Sequence, residues 1–339
     1  MSVSTIKIVM TGPTGVGKTS LLAAMYPHLE KPSFQFGDYE LFPESDKESP
    51  NTSPTRTKLD EALNKIKQFS ANPTNTHSGT PEPDEFDYLL LYESDDGQKT
   101  PELLFQIWDI PGGFCTDTEK DKDGNSVGTV KAQKFLNGAD VSFWCIDCIA
   151  LMEPKSHNGQ WLGEKNDNFN KPDIMVKCLA ESNINEGHTV IIVLMRAESY
   201  SRNGKYEELY QQLKSRIAQY VLELRKNRKI DKVYYCAVET TGCVIYNGTE
   251  RERYIVRTGE TYNPKYCEMP VLCAIQRSLE KTVNQIQWKI YHLAWRCPFI
   301  RFLLPCYWRL NGIGKRLEKR LRKVKAEIGE KLEHNLFEW

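Results

Sequence analysis

The segment IKIVMTGPTGVGKTSLLAAMY limits the possible folds of this chain more than any other. An apolar, β-branched run, Ser4 to Thr11, meets a turn with glycines at 12, 15 and 17, and a helix-like stretch begins at Gly17. Gly12 to Thr19, GPTGVGKT, fits GxxxxGK[ST] at every fixed position, with the strand before it and the helix after it that the pattern needs. Backbone amides can close around phosphate oxygens only where side chains do not intrude, and the glycines secure that approach. Lys18 offers a point charge to the β and γ phosphates, and Thr19 a hydroxyl ligand for Mg2+. The helix N-terminus adds partial positive charge. Pro13, Thr14, Val16 and Ser20 complete the loop. These residues imply a bound nucleoside triphosphate.

Beyond this hinge, apolar strands alternate with helical patterns. FDYLLLYES and ELLFQIWDI read as a strand hairpin across a DDGQ turn. After a short helix at VKAQKFLNGA, DVSFWCIDCIAL, TVIIVLM and KVYYCAV follow as near-continuous apolar strands, separated by helical segments near 172–184 and 204–226. The expected fold class is α/β, a mostly parallel six-stranded sheet with one antiparallel strand and helices on both faces. Residues 30–83 form a polar insert whose flanks suit a mobile segment, with one amphipathic helix at LDEALNKIKQF. Asn-Gly between β-prone runs marks a second, hairpin insert at 243–260. Cys145 and Cys148 have CxxC spacing, but no second pair follows, so they read as small buried hydrophobes.

The strand ending WDIPGG carries Asp109, placed to hold Mg2+, and Gly112, whose amide can meet the γ-phosphate. With GPTGVGKT upstream, this D-x-x-G resembles the Ras-like branch of the P-loop GTPases. The resemblance implies Mg2+ and GTP/GDP as ligands, two switch segments and base recognition by N/T-K-x-D at a strand end. At that position the chain has Met195, Arg196 and Glu198. Arg196 suits stacking on a base. Glu198 can accept the two guanine protons, and Met195 lacks the bracing hydrogen bonds of an asparagine. The later family motif falls on Cys236–Val238, with the Ala237 amide as its working group. The family's water-orienting glutamine is replaced by Gly113, followed by Phe114, which implies slow hydrolysis. Asp117, Glu119 and Arg56 are the in-chain alternatives. A switch threonine for Mg2+ would be Thr74, Thr76 or Thr80, with Thr80 favoured. Bacterial GTPases of multi-gene conflict or signalling systems are loosely similar.

Basic and acidic residues balance over the whole chain, yet QIQWKIYHLAWRCPFIRFLLPCYWRLNGIGKRLEKRLRKVK holds eleven Lys/Arg against one acidic residue. Trp288, Trp295 and Trp308 are interleaved with those charges, and Ile313, Leu317, Leu321, Val324, Ile328 and Leu332 recur at helical spacing. Such an element suits a partner protein, a membrane surface or non-specific nucleic acid. No sequence-specific nucleic-acid motif accompanies it. The domain expectation is a G domain over 1–296 and a basic, Trp-rich helical extension over 297–339. The functional expectation is a cytoplasmic GTP-binding switch, peripheral to the inner face of a membrane if the tail binds lipid. It would act on an effector or activator protein through its switches or tail. A nucleotide-binding scaffold without turnover and an ATPase with a degenerate base-reading motif remain the alternatives.

Overall fold

A computed structural model describes residues 4–29, 39–43, 54–73, 82–93, 97–115, 127–152, 172–201, 206–247 and 254–296. Towards the end it describes 311–316, 318–319, 321–323, 325–326 and 336–339. Thr74, Thr76, Thr80, Asp117, Glu119, Trp308, Leu317, Val324, Ile328 and Leu332 lie outside the described residues.

The central strand is β1 (Ser4–Thr11), flanked on both edges by parallel partners, β4 (Lys99–Asp109) and β5 (Val141–Asp147). Beyond β5, the parallel series continues with β6 (His188–Met195) and β7 (Ile230–Ala237). β3 (Asp84–Glu93) runs antiparallel to β4, completing the six strands the sequence leads one to expect. Two short strands extend the sheet to eight, in the order β10-β7-β6-β5-β1-β4-β3-β2. β2 (Tyr39–Pro43), from within the polar insert, pairs antiparallel with β3, and β10 (Leu336–Glu338) pairs antiparallel with β7. Both occupy backbone groups that β3 and β7 would otherwise present to solvent.

Every residue of β5 and β6 is buried. The reason is that helices cover both faces, so each side of the pleat needs apolar residues. On one face Ile8, Met10, Phe143, Cys145, Ile191 and Val193 pack with α1 (Lys18–Leu29) and α7 (Met269–Arg296). On the other, Val9, Trp144, Ile146, Val190 and Ile192 pack with α3 (Val127–Leu136), α5 (Pro172–Glu181) and α6 (Glu207–Leu224). Cys145 belongs to the first core. Cys148, in the short helix α4 (Cys148–Met152), belongs to the second, so the CxxC pair does not share an environment.

Within the insert, α2 (Pro54–Ala71) opens on a proline, which gives up no needed N–H at a helix start. Leu63 and Ile66 bury against Ala23 of α1. A two-stranded hairpin, β8 (Val244–Tyr246) with β9 (Tyr254–Val256), follows β7. At the far end, helical residues between 311 and 326 lie along α7, where Lys325 Nζ meets Glu280 Oε1 at 2.6 Å and Gln287 donates to Glu318. Trp288 and Tyr291 of α7 are exposed. Among the described residues, no helix is long and apolar enough to cross a membrane.

Candidate functional site

Because β1, β4, β5, β6 and β7 are parallel, their C-terminal ends open on the same side of the sheet. Loops outside such strand ends are where open α/β sheets take ligands. The Gly12–Thr19 loop, the Ile110–Cys115 turn, Asp147, Arg196–Ser199 and the 238–243 loop all leave from there.

The glycines of the first loop are used as their chemistry suggests. Gly12, Gly15 and Gly17 have φ of 140°, 76° and 100°, in the left-handed region that side chains disfavour. At Gly12 a Cβ would also come within 2.5 Å of the Cys145 carbonyl oxygen. Pro13 and Val16 are buried, whereas Thr14 and Gly15 are exposed, and Ser20 is half-buried. Lys18 is buried and curls back so that Nζ stands 3.5 Å from the Gly12 carbonyl oxygen. Among the described residues no carboxylate pairs with this ammonium, which therefore suits an external anion. Thr19 Oγ1 donates to Asp109 Oδ2, so two hard oxygen donors, of the kind Mg2+ takes, are in contact. Asp109 itself is fully buried.

The turn after Asp109 seats directly on the Gly12–Thr19 loop. A Cβ at Gly112 would lie 2.1 Å from the Thr14 nitrogen and 2.4 Å from the Pro13 carbonyl carbon. Only glycine allows two main chains to approach so closely. Among the described residues, nothing lies within 4 Å of the position a Gly113 Cβ would take. Phe114 stacks loosely on Phe135 of α3, at 6.4 Å between ring centroids, under the Lys131 ammonium. Arg56 sits in the first turn of α2, beside Thr55, whose hydroxyl accepts from the Asp87 amide at 3.1 Å. Lys58 pairs with Asp84 at 2.6 Å, and Asp84 is the register partner of Asp109. The start of α2 is therefore at the site end of the sheet.

On the other side of the loop, Arg196 takes a left-handed φ of 62° and is held at three points. Its guanidinium binds Asp147 Oδ2 at 2.8 Å, donates to the Gly15 carbonyl, and lies 5.5 Å from the centre of the Tyr254 ring. Glu198 is buried. Its Oε1 accepts from the Thr241 hydroxyl at 2.8 Å and the Thr241 amide at 3.2 Å. Among the described residues, Oε2 has no hydrogen-bond partner. Burial pushes the Glu198 carboxyl up to about 7, against the Thr241 hydrogen bonds that favour its charged form. Met195 is buried, with its Cε 3.6 Å from where a Gly17 Cβ would be.

The structure does not bring Ala237 into this group. Its amide lies against the Tyr210 hydroxyl on the α6 side, and the chain passes on through Val238, whose carbonyl accepts from Ala197. Thr241 is the residue that reaches Glu198. Sequence reasoning also passed over Asp147 and Tyr254 as site residues. An acidic residue closing a mostly apolar strand, VSFWCID, was a readable signal for the first. Nothing local marked the second, which arrives on the hairpin insert.

No protein-family model and no curated protein matches the chain. Among solved structures, sup35 complexed with GDP is similar at 13% identity over 70% of this chain and 38% of that one, with a TM-score of 0.32. Era in complex with MgGDPNP and nucleotides of 16S ribosomal RNA gives 14%, over 70% and 52%, with a TM-score of 0.25. Aquifex aeolicus Era bound to GDP.AlF4- gives 15%, over 69% and 52%, with a TM-score of 0.24. The chain thus spans 38 to 52% of the length of these structures. Likeness this distant says nothing of what this chain binds.

Proposed function

We propose that this protein is a Mg2+-dependent GTP-binding switch with slow intrinsic hydrolysis. The observation that carries the reading is the buried Lys18 ammonium, which lies inside a glycine-lined loop without a carboxylate partner among the described residues. Beside it are the Thr19–Asp109 oxygen pair and the Gly112 backbone. In this reading the amides of Gly12–Thr19 cradle the phosphates, Lys18 neutralises the β and γ groups, and Thr19 and Asp109 hold Mg2+. The metal would offset the charge between the phosphate oxygens.

Guanine is the base that suits Glu198. A buried carboxylate oxygen without a partner is costly, and a ring presenting two N–H donors would satisfy it. Adenine presents an acceptor where guanine has the ring N–H, and would leave that cost standing. Slow turnover follows from Gly113, which cannot orient a water molecule. Loss of the γ-phosphate would then release the turn at Gly112 and the insert that follows α1, which is how the nucleotide would reach an effector. Residues 1–296 would form the nucleotide domain with its two inserts, with β10 from the C-terminal stretch completing one edge of its sheet. The basic stretch over 297–339 would offer a surface to a partner or to anionic lipid at the inner face of a membrane, in a cytoplasmic protein.

Calorimetry in the presence of Mg2+ tests the reading directly. GTP and GDP should bind, ATP should bind far more weakly, and Lys18→Ala should abolish uptake while leaving the fold intact. A well-folded wild-type protein that takes up no purine triphosphate would refute it. Preference for ATP would refute the base assignment alone.

A further inference from the structure

The base-reading segment of this chain lacks an asparagine. Met195, at the end of β6, packs as a hydrophobe and makes no polar brace. Yet the segment after it is held in a conformation that a free loop would not keep. Arg196 sits at a positive φ, unfavourable for a long side chain, and such a residue persists only where its surroundings over-determine it.

The hairpin insert supplies that over-determination. Thr241, just before β8, holds Glu198 Oε1, and its hydroxyl also accepts from the Val244 amide at 3.2 Å. Within β8, the Tyr246 amide donates to Ser199 Oγ at 3.0 Å. Tyr254 of β9 covers the Arg196 guanidinium. Arg257, just after β9, donates to the Glu198 carbonyl and, at 3.3 Å, to that of Ser201. From Arg196 to Ser201, each of Arg196, Glu198, Ser199 and Ser201 is thus touched by a residue between 241 and 257. Tyr254 is in turn edge-on to Phe69 of α2, at 5.8 Å between centroids, which fixes the outer side of the hairpin.

We infer that the β8–β9 pair, with Thr241 before it and Arg257 after it, replaces the missing asparagine as the brace of the base-reading segment, with Tyr254 and Arg257 as positioning residues for Arg196 and Glu198. The inference rests on the guanine-nucleotide reading above. It adds that recognition of the base, and not of the phosphates, depends on the insert. The guanidinium plane, fixed by Asp147, the Gly15 carbonyl and the Tyr254 ring, would present its remaining face to the purine.

The test measures affinities of the full chain for GDP and for inorganic tripolyphosphate, both with Mg2+. Wild type is compared with Tyr254→Ala, Tyr254→Phe and Arg257→Ala. Losing a partly desolvated cation–π contact is expected to weaken GDP by about tenfold in Tyr254→Ala. Tyr254→Phe should retain wild-type affinity, and Arg257→Ala should weaken GDP comparably. Tripolyphosphate should bind all four proteins alike, a result that general unfolding would not give. Unchanged GDP affinity in Tyr254→Ala and Arg257→Ala would overturn the inference. An equal loss of tripolyphosphate would also overturn it, because the insert would then serve the whole site. A wild type that binds tripolyphosphate but not GDP would instead sink the guanine reading on which the inference stands.

Discussion

Gly112→Ala is the substitution whose consequence follows most directly from geometry. The new methyl carbon would meet main-chain atoms of Pro13 and Thr14, the nearest at 2.1 Å, where tolerable contact starts near 3.4 Å. Two backbones must therefore part by about 1.3 Å, with no flexible side chain to swing aside. Overpacking of this kind costs about 1–3 kcal/mol. Urea unfolding should report it as a lower midpoint at unchanged slope. The displaced turn also carries the amide read as the γ-phosphate donor, so affinity for GTP should fall at least tenfold while affinity for GDP falls less. Gly113→Ala is the matched control, because its Cβ would meet nothing within 4 Å among the described residues and should change neither midpoint nor affinity. If Gly112→Ala were as stable and bound GTP as tightly as Gly113→Ala, the two loops would not abut and the account of the site would fail.

Gly113→Gln has room for its side chain and should raise the single-turnover hydrolysis rate if a water-orienting group is all that is missing; an unchanged rate refutes that account. His188, the first residue of β6, is buried, its Nδ1–H donating to the Ala139 carbonyl at 2.9 Å and its Nε2 accepting from the Ser142 hydroxyl at 3.0 Å. Burial holds the imidazole down at about 4, so its contribution is complete above its unfolded value of 6.5 and is lost as pH falls towards 4. That loss amounts to about 3 kcal/mol, and urea midpoints measured across the window should flatten in His188→Gln. Glu198 has the opposite sign: raised by burial to about 7, it contributes fully below 4.5 and loses that contribution as pH rises through 7. Glu198→Gln should therefore gain stability relative to wild type at pH 8 while losing preference for GTP over ATP, and a variant that is no more stable there would contradict the burial argument.

The parts of this fold legible in sequence are those where one local requirement dominates. β5 and β6 are buried on both faces, so VSFWCID and HTVIIVLM are apolar through their middles, with Ser142, Asp147, His188 and Thr189 as the buried polar exceptions near their ends. The Gly12–Thr19 loop was legible because a turn whose glycines take positive φ and admit a neighbouring main chain restricts residue type position by position. β2 and β10 were not. A strand of three to five residues at a sheet edge has no periodicity to read, and β10 is specified by pairing with Cys236, Tyr235 and Tyr234, far away along the chain. The misplacement of the base-side motif on Ala237 has a similar origin. β7 ends there, but its continuation through Val238 to Thr241 turns towards Glu198 under hydrogen bonds from Ala197 and Lys265, neither adjacent in sequence. Tyr254 contributes through tertiary contact alone.

The central place of β1 bears on how the molecule acquires its site. Ser4–Thr11 is sandwiched between partners at 103–109 and 141–144, with the insert looped out in between. Lengthening such a loop adds little entropy cost, about 0.6 kcal/mol per doubling, but contacts so distant form slowly. The strand that launches the Gly12–Thr19 loop must therefore wait until residue 109 before one flank can be occupied and until residue 144 before both can. A nascent or partly unfolded molecule has no half-made cradle to offer, and nucleotide capture is expected to coincide with completion of the sheet.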